Sequence, residues 1–320
     1  MKIVIIGGSG FLGTRLITLL KELPDVELLN IDIRQSVDYP EITKMANVLD
    51  LDAITKLLPG TDLVVLLAAE HKDNVEPPAL YYNVNVDGMH NTLKAMEQNN
   101  VSRLIFTSSV AVYGLNKVNP CEETFADPFN DYGRSKWMAE MLLQRWHTQH
   151  SEWDINIVRP TVIFGENNRG NVYNLLRQIA SGKFMMIGNG RNVKSMAYVG
   201  NVASFIVFLS KARSNGCHVF NYVDTPDITM NHLVEQVSKV LDKHIPVFHL
   251  PFAVGMLIGY GFDLLSRVSG VKYAISSVRV KKFCSVTQFD SCKLEKTGFQ
   301  PAYSLQEGLR LTLEHEFGKK

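Results

Sequence analysis

What the chain lacks narrows it first. Only four of its 320 residues are cysteine (Cys121, Cys217, Cys284 and Cys292), and none forms a CxxC pair or a zinc-ligand spacing. That excludes a disulfide-built domain and a structural zinc site; no metal is expected, and scattered thiols fit a reduced, cytoplasmic compartment. An excess of one charge is missing too. The 33 Lys and Arg face 32 Asp and Glu, a net +1, so nothing marks the whole molecule as a binder of nucleic acid. No apolar run approaches the roughly 20 residues needed to cross a bilayer. The amino terminus reads as a strand rather than as a secretory leader. Repeats and low-complexity tracts are absent. With 46% hydrophobic and 20% charged residues, the chain is globular and long enough for two lobes.

What is present starts at the first strand. Lys2-Ile3-Val4-Ile5-Ile6 reads as a buried parallel strand, and Gly7-Gly8-Ser9-Gly10-Phe11-Leu12-Gly13 follows at once. Glycines let a backbone turn sharply and come close to a pyrophosphate, and a helix expected over 14–20 would face that anion with its free N–H groups. A second strand over 27–31 ends at Asp32. A carboxylate there can accept both hydroxyls of an adenosine ribose and repels a 2′-phosphate, which favours NAD over NADP; Arg34 pulls the other way. A third strand over 62–67 ends at Ala68-Ala69, whose small side chains leave room for a cofactor. Asp50 has two readings, a contact to an adenine amino group or the N-cap of a helix over 51–58. A helix is expected over 81–98 on the stripe Val84, Met89, Leu93 and Met96, then a strand over 103–107 ending in Ser108-Ser109. Strands alternating with helices predict an α/β protein with a doubly wound parallel sheet, binding ligands beyond the strand C-termini.

The chemistry lies in Ser109 and in Tyr132-Gly133-Arg134-Ser135-Lys136. Tyr132 and Lys136 are four apart and share one helix face. An ammonium beside a phenol lowers the phenol's pKa, and an oxidised nicotinamide would lower it further, making Tyr132 a general base near neutral pH. Ser109 would bond the same substrate hydroxyl, and Lys136 would also hold the nicotinamide ribose.

These pieces, with Ser108-Ser109-Val110-Ala111-Val112-Tyr113-Gly114, Arg159-Pro160-Thr161-Val162-Ile163-Phe164-Gly165, Gly298-Phe299-Gln300-Pro301 and Ser304-Leu305-Gln306-Glu307-Gly308, resemble the extended short-chain dehydrogenases/reductases of the nucleotide-sugar epimerase group. The resemblance implies a Rossmann-type NAD-binding domain over 1–165, to which 190–223 returns, and a smaller C-terminal α/β substrate lobe made of 166–189 and 224–320. It implies reversible hydride transfer at a sugar carbon, with Ser109, Tyr132 and Lys136 catalytic. NAD would lie against Gly7, Gly10, Phe11, Leu12, Gly13, Asp32, Asp50, Ala68, Ala69, Tyr132, Lys136 and Pro160. Dehydratases of the family carry an acidic pair directly after the serine; Val110 and Ala111 stand there, so dehydration is not expected. Of epimerisation at C4 and one-way reduction of a 4-keto sugar, Asp32 favours the first, because such reductases more often use NADPH.

The second half departs from the family's common pattern. Where an arginine usually meets a substrate phosphate, Lys194 stands, a point charge rather than a bidentate fork, and Asn201 replaces a usual Asp. Gly170-Asn171-Val172 opens a helix whose N–H groups could hold a diphosphate, or is an ordinary helix start. The stretch 250–262 has no charge. It is either a buried helix or an apolar surface for a membrane or a lipid tail. Around it stand Lys239, Lys243, Arg267, Lys272, Arg279, Lys281 and Lys282 against Asp242 and Asp263, a rim that suits an anionic leaflet or a substrate diphosphate. The segments 160–176, 194–201 and 276–284 resemble members of the family that act on an amino sugar carried on a prenyl diphosphate. The expected substrate is thus a lipid-linked or nucleotide-linked amino sugar, with Ser109, Asn171, Lys194 and Arg279 in contact with it. Peripheral contact with the inner membrane and a homodimer, built from helices over 91–98 and 137–148, are also expected.

Overall fold

The computed structural model describes residues 1–72, 75–115, 117–246, 248–271, 273 and 276–318. The chain forms two compact units. The first comprises Met1–Ile163, Ala197–Val223 and Phe289–Tyr303, and the second Phe164–Met196, Asp224–Gln288 and Ser304–Lys320. The returning segment therefore begins at Ala197, not at 190, and 289–303 joins the first unit rather than the substrate lobe. Asn201 gives a physical reason. Its amide donates to Tyr303 O (2.7 Å) and accepts from Tyr303 N (3.1 Å), a two-way pairing that an Asp carboxylate, an acceptor only, could not make.

The first unit is built on β1 (Lys2–Ile6), β2 (Glu27–Asp32), β3 (Thr43–Met45), β4 (Leu63–Leu66), β5 (Arg103–Thr107), β6 (Asp154–Pro160) and the strand Gly216–Tyr222. Their order across the sheet is Gly216–Tyr222, β6, β5, β4, β1, β2, β3, and every pairing is parallel. The central strands β1, β4 and β5 bury both faces, which is why the sequence shows continuous apolar runs there rather than alternation. Ile3, Ile5, Leu63 and Val65 pack with Leu16, Ile17 and Phe205 on one side; Val4, Ile6, Val64 and Leu66 pack with Ile54, Leu93 and Leu143 on the other. The order in which the chain adds strands reverses between β1 and β4, so a crevice opens beyond their carboxyl ends. The glycine turn and Ala68 stand there.

In the second unit the helices Asn171–Ala180, Met230–Val240 and Leu305–Phe317 pack on one another through Val172, Leu176, Leu233, Val237, Leu309 and Leu313. The strand Met185–Ile187 pairs in parallel with Phe248–Leu250. The charge-free stretch forms most of the helix Phe252–Ser269, which buries only Gly255, Met256 and Gly259. Of the two readings at that stretch, the exposed surface is the one the fold adopts. Among the described residues no helix is long and apolar enough to cross a membrane.

Candidate active site

The turn after β1 is held from two sides. Gly7 adopts φ +92°, and a Cβ there would strike the Ala68 backbone. A Cβ on Gly13 would sit 2.5 Å from Gly8 Cα. The helix starts at Phe11, three residues before the expected start, and Thr14 N donates to Gly10 O at 2.9 Å. Gly13 thus lies inside the first helical turn, where the absent side chain lets the helix close on the turn. Gly10, the N-cap, is different: a Cβ would meet only Gly7 O, at 3.7 Å, and no side chain caps the helix there. Its first N–H groups have no intrahelical partner and mark an anion seat.

Asp32 accepts from Ser9 N (2.9 Å) and Arg34 N (3.0 Å), which fixes its carboxylate at the end of β2. Asn30, which the sequence reading did not single out, is fully buried. Its amide oxygen accepts from Gly8 N (2.9 Å), and its nitrogen donates to Ser9 Oγ and Thr43 Oγ1 (each 3.0 Å). A lone amide inside the apolar strand Leu28-Leu29-Asn30-Ile31 was the available signal. Asp50 accepts from Ala53 N at 3.0 Å as the N-cap of the helix Leu51–Leu57, so the capping reading is realised at that residue. The buried Oγ1 atoms of Thr107, ending β5, and Thr161, just past β6 and Pro160, have no hydrogen-bond partner. Open space at Gly10, unsatisfied helix N–H groups and orphaned hydroxyls at the strand ends together fit a dinucleotide.

Tyr132 and Lys136 enter on the helix Asp131–Gln149, capped by Asn130, whose side chain accepts from Gly133 N at 2.9 Å. Ser109 caps the 3-10 turn Val110–Tyr113 and accepts from Ala111 N at 3.1 Å. Ser109 stands close enough to Tyr132 to pull the phenol's pKa down, so the structure brings those two together. Lys136 Nζ donates to Thr107 O at 2.9 Å and lies 4.8 Å from the Phe106 ring centroid. The expected lowering of the phenol's pKa is not what the protein alone produces. Burial raises Tyr132 above the ordinary phenol value, with Ser109's hydrogen bond pulling down and Tyr81 pushing up. Burial lowers Lys136 to about 7, against a smaller upward pull from Glu140. The lysine head is engaged by a carbonyl, so desolvation governs both groups.

Two buried networks brace this triad, neither anticipated. Asn85 sits in a π-helical turn, Asn83–Asp87, between the helices Ala79–Tyr82 and Gly88–Gln98. It bonds Glu70 N and O (2.9 and 3.0 Å) and Ser135 Oγ (2.8 Å), tying the loop after β4 to the helix Asp131–Gln149. Glu140, one turn beyond Lys136, is paired with Arg159 (Nη2–Oε2 2.6 Å), both nearly inaccessible. Ser108 donates to Glu140, and Arg159 Nη1 donates to Tyr113 Oη (2.6 Å), which bonds Asn221 (2.8 Å). Burial pushes Tyr113 up to about 12.

Asn171, Lys194 and Arg279 lie in the second unit. Asn171 opens the helix Asn171–Ala180 behind Gly170, which has no side-chain cap. Arg279 is exposed on the helix Ser277–Cys284. Lys194 is half-buried, and its ammonium donates to Lys282 O (3.0 Å) and Ser285 O (2.6 Å) at that helix's C-terminal end. Burial lowers it to about 8. The residue read as a phosphate contact therefore closes a helix, a use to which a cation at that end is suited. Lys272 falls outside the described residues.

The fold and this site define a class of protein. Residues 3–222 match the model of the NAD dependent epimerase/dehydratase family; the chain belongs to that family, and its cofactor is NAD. Over 317 residues, 99% of this chain and 95% of the relative, it is 56% identical to the N-acetyl-alpha-D-glucosaminyl-diphospho-ditrans,octacis-undecaprenol 4-epimerase of Escherichia coli O157:H7. It is 28% identical to the UDP-glucose 4-epimerase of Vibrio cholerae, across 98% of this chain and 94% of that one. The solved UDP-glucose 4-epimerase of Thermotoga maritima with UDP-glucose shares the fold at a TM-score of 0.78, with 21% identity and 98% of each chain covered.

Proposed function

We propose that this protein is an NAD-dependent 4-epimerase that interconverts N-acetylglucosaminyl- and N-acetylgalactosaminyl-diphospho-undecaprenol, a step of O-antigen or other surface-polysaccharide synthesis. The observation that carries this reading is the end-to-end 56% identity to the relative of that activity. The first unit would hold NAD through Gly7, Gly10 to Gly13, Asp32, Ala68, Ala69 and Pro160; the second would hold the sugar diphosphate, with Asn171 and Arg279 in reach of it. Bound NAD supplies the hydride acceptor and, while oxidised, a positive charge that favours the phenolate. Tyr132 takes the proton of the sugar's 4-hydroxyl, and Ser109 holds that same oxygen. Lys136 steadies the phenolate and the nicotinamide ribose. As Tyr132 takes the hydroxyl proton, C4 gives its hydride to the acceptor, and the hydride returns to either face of the resulting 4-keto sugar; Tyr132 then returns its proton to the same oxygen.

UDP-linked hexoses or amino sugars are the second reading, favoured by the likeness to UDP-glucose 4-epimerases. The 56% identity to the undecaprenol-linked 4-epimerase, against 28% to the UDP-glucose 4-epimerase, supports the lipid-linked sugar instead. The deciding experiment offers the purified protein both donors side by side and identifies the sugar released from each. Turnover of UDP-N-acetylglucosamine alone would overturn the lipid-linked reading. Tyr132→Phe is expected to lose about 10²- to 10⁴-fold in turnover with its thermal unfolding unchanged; full activity in that variant would refute the assignment.

The same reading makes the enzyme a peripheral protein of the cytoplasmic side of the inner membrane. It also makes it a homodimer through the helices Gly88–Gln98 and Asp131–Gln149, which pack on each other within one subunit. Sedimentation at the 36.0 kDa of one chain would remove the dimer.

A further inference from the structure

The helix Phe252–Ser269 has its polarity inverted for a helix in water. At about 100° per residue, Val254, Leu257, Ile258, Leu264, Leu265 and Val268 share one arc roughly 120° wide. Leu257 is 71% exposed, Leu264 63% and Val268 81%. No charged residue falls inside that arc. The opposite side carries Gly255 and Gly259. A Cβ on Gly255 would stand 2.7 Å from Ile187 Cγ2, and one on Gly259 2.8 Å from Ser277 N. The glycines therefore let the helix seat close to the unit beneath it, while its large apolar side chains point outward. Phe248, four residues before the helix, is also 69% exposed, and a contiguous apolar face on a soluble chain marks an interaction site.

The charges bordering this face are positive. Arg267 lies on the helix's own flank, and the helix Ser277–Cys284, packed against it, ends in Lys281 and Lys282. Asp263, the helix's one acidic residue, turns inward to accept from Ser277 N at 3.3 Å. A second copy seated symmetrically on this face would bring two basic rims together, which is repulsive. An anionic leaflet accepts both the apolar face and the cations.

We infer that the outward face of the helix Phe252–Ser269 is a docking surface for an anionic lipid bilayer, with the helix lying in the plane of the leaflet. This names the partner of the lipid-linked reading and rests on it for its occupant. It is tested by sedimenting the full chain with vesicles of phosphatidylcholine alone and with phosphatidylglycerol added. The wild type is expected to bind the anionic vesicles, and Leu257→Glu with Leu264→Glu to weaken that binding about tenfold or more. Arg267→Glu with Lys281→Glu should weaken it similarly at low salt and less at high salt. Circular dichroism and epimerisation of a diphosphate-linked sugar on a short, water-soluble prenyl chain are read in parallel, and both should be unchanged in all variants. Wild type that ignores anionic vesicles, or apolar-face variants that bind as well as wild type, would overturn the docking surface. Absence of turnover on the short-chain substrate in every form would instead overturn the epimerase reading, and the two failures are separately visible.

Discussion

At the scale of single residues, the strongest constraint is the buried ion pair of Glu140, one turn beyond Lys136, with Arg159. Removing one member of a buried pair leaves the other as an uncompensated charge. Glu140→Gln is therefore expected to destabilise the protein by about 3–5 kcal/mol, read as a lower midpoint in chemical denaturation. Adding Arg159→Met to that variant should recover part of the loss, because the stranded guanidinium is gone; no recovery would mean the pair is not the source. None of this pairing was legible in the sequence. Glu140 and Arg159 are 19 positions apart on different elements, and only packing of the catalytic helix on β6 brings them together. Lys194 shows the converse. Its type and spacing read as a phosphate contact, but a lysine stem is long enough to be captured by carbonyls on another segment, which no local pattern records. Asp32, Tyr132, Lys136 and Ser109 were legible, because each sits at a strand end or a helix start that the sequence itself marks.

At the scale of elements, the glycine turn separates two jobs that one motif joins in the sequence. Gly7 needs its conformation, since its φ is +92° and its space is taken by the Ala68 backbone. Gly10 needs neither, because its φ is −88° and a Cβ would find room. Gly7→Ala is expected to lower stability by about 1–3 kcal/mol and to weaken NAD binding with it. Gly10→Val should leave the melting temperature within about 1 °C while weakening NAD at least tenfold, as the side chain fills the approach to the helix N-terminus. Calorimetry on both variants checks this, and equal stability losses would contradict it. The main strands were readable to within a residue or two, as buried parallel strands must be apolar on both faces. The helix expected over 81–98 is real, but it contains the π turn Asn83–Asp87, set by the tertiary bonds of Asn85 that no periodicity reveals. The direction in which 250–262 faces was equally hidden, since an apolar run reads the same whether it is covered or bare.

For the molecule as a whole, stability is linked to its cofactor. A ligand that binds only the folded chain stabilises it by about 2.7 kcal/mol at a hundred times its dissociation constant. NAD is expected to raise the melting temperature measurably. NADP at equal concentration should not, because its 2′-phosphate would meet the Asp32 carboxylate fixed by Ser9 N and Arg34 N. Equal shifts from the two dinucleotides would show that Asp32 does not select between them. The division into two units was legible in outline, since the first half alternates strand and helix and the second does not. The return of Phe289–Tyr303 to the first unit was not, because it rests on long-range contacts that no local pattern records: Asn201 pairing with Tyr303 across 102 positions and Phe299 packing on Phe205 and Tyr222.

On the docking reading, the outward face of the helix Phe252–Ser269 has a kinetic consequence. A catalyst resting on a leaflet searches for its substrate in two dimensions, by lateral diffusion. Its rate then follows the number of substrate molecules per unit of surface rather than per unit of volume, and the bulk concentration of a long-chain lipid sugar ceases to be the quantity that limits turnover.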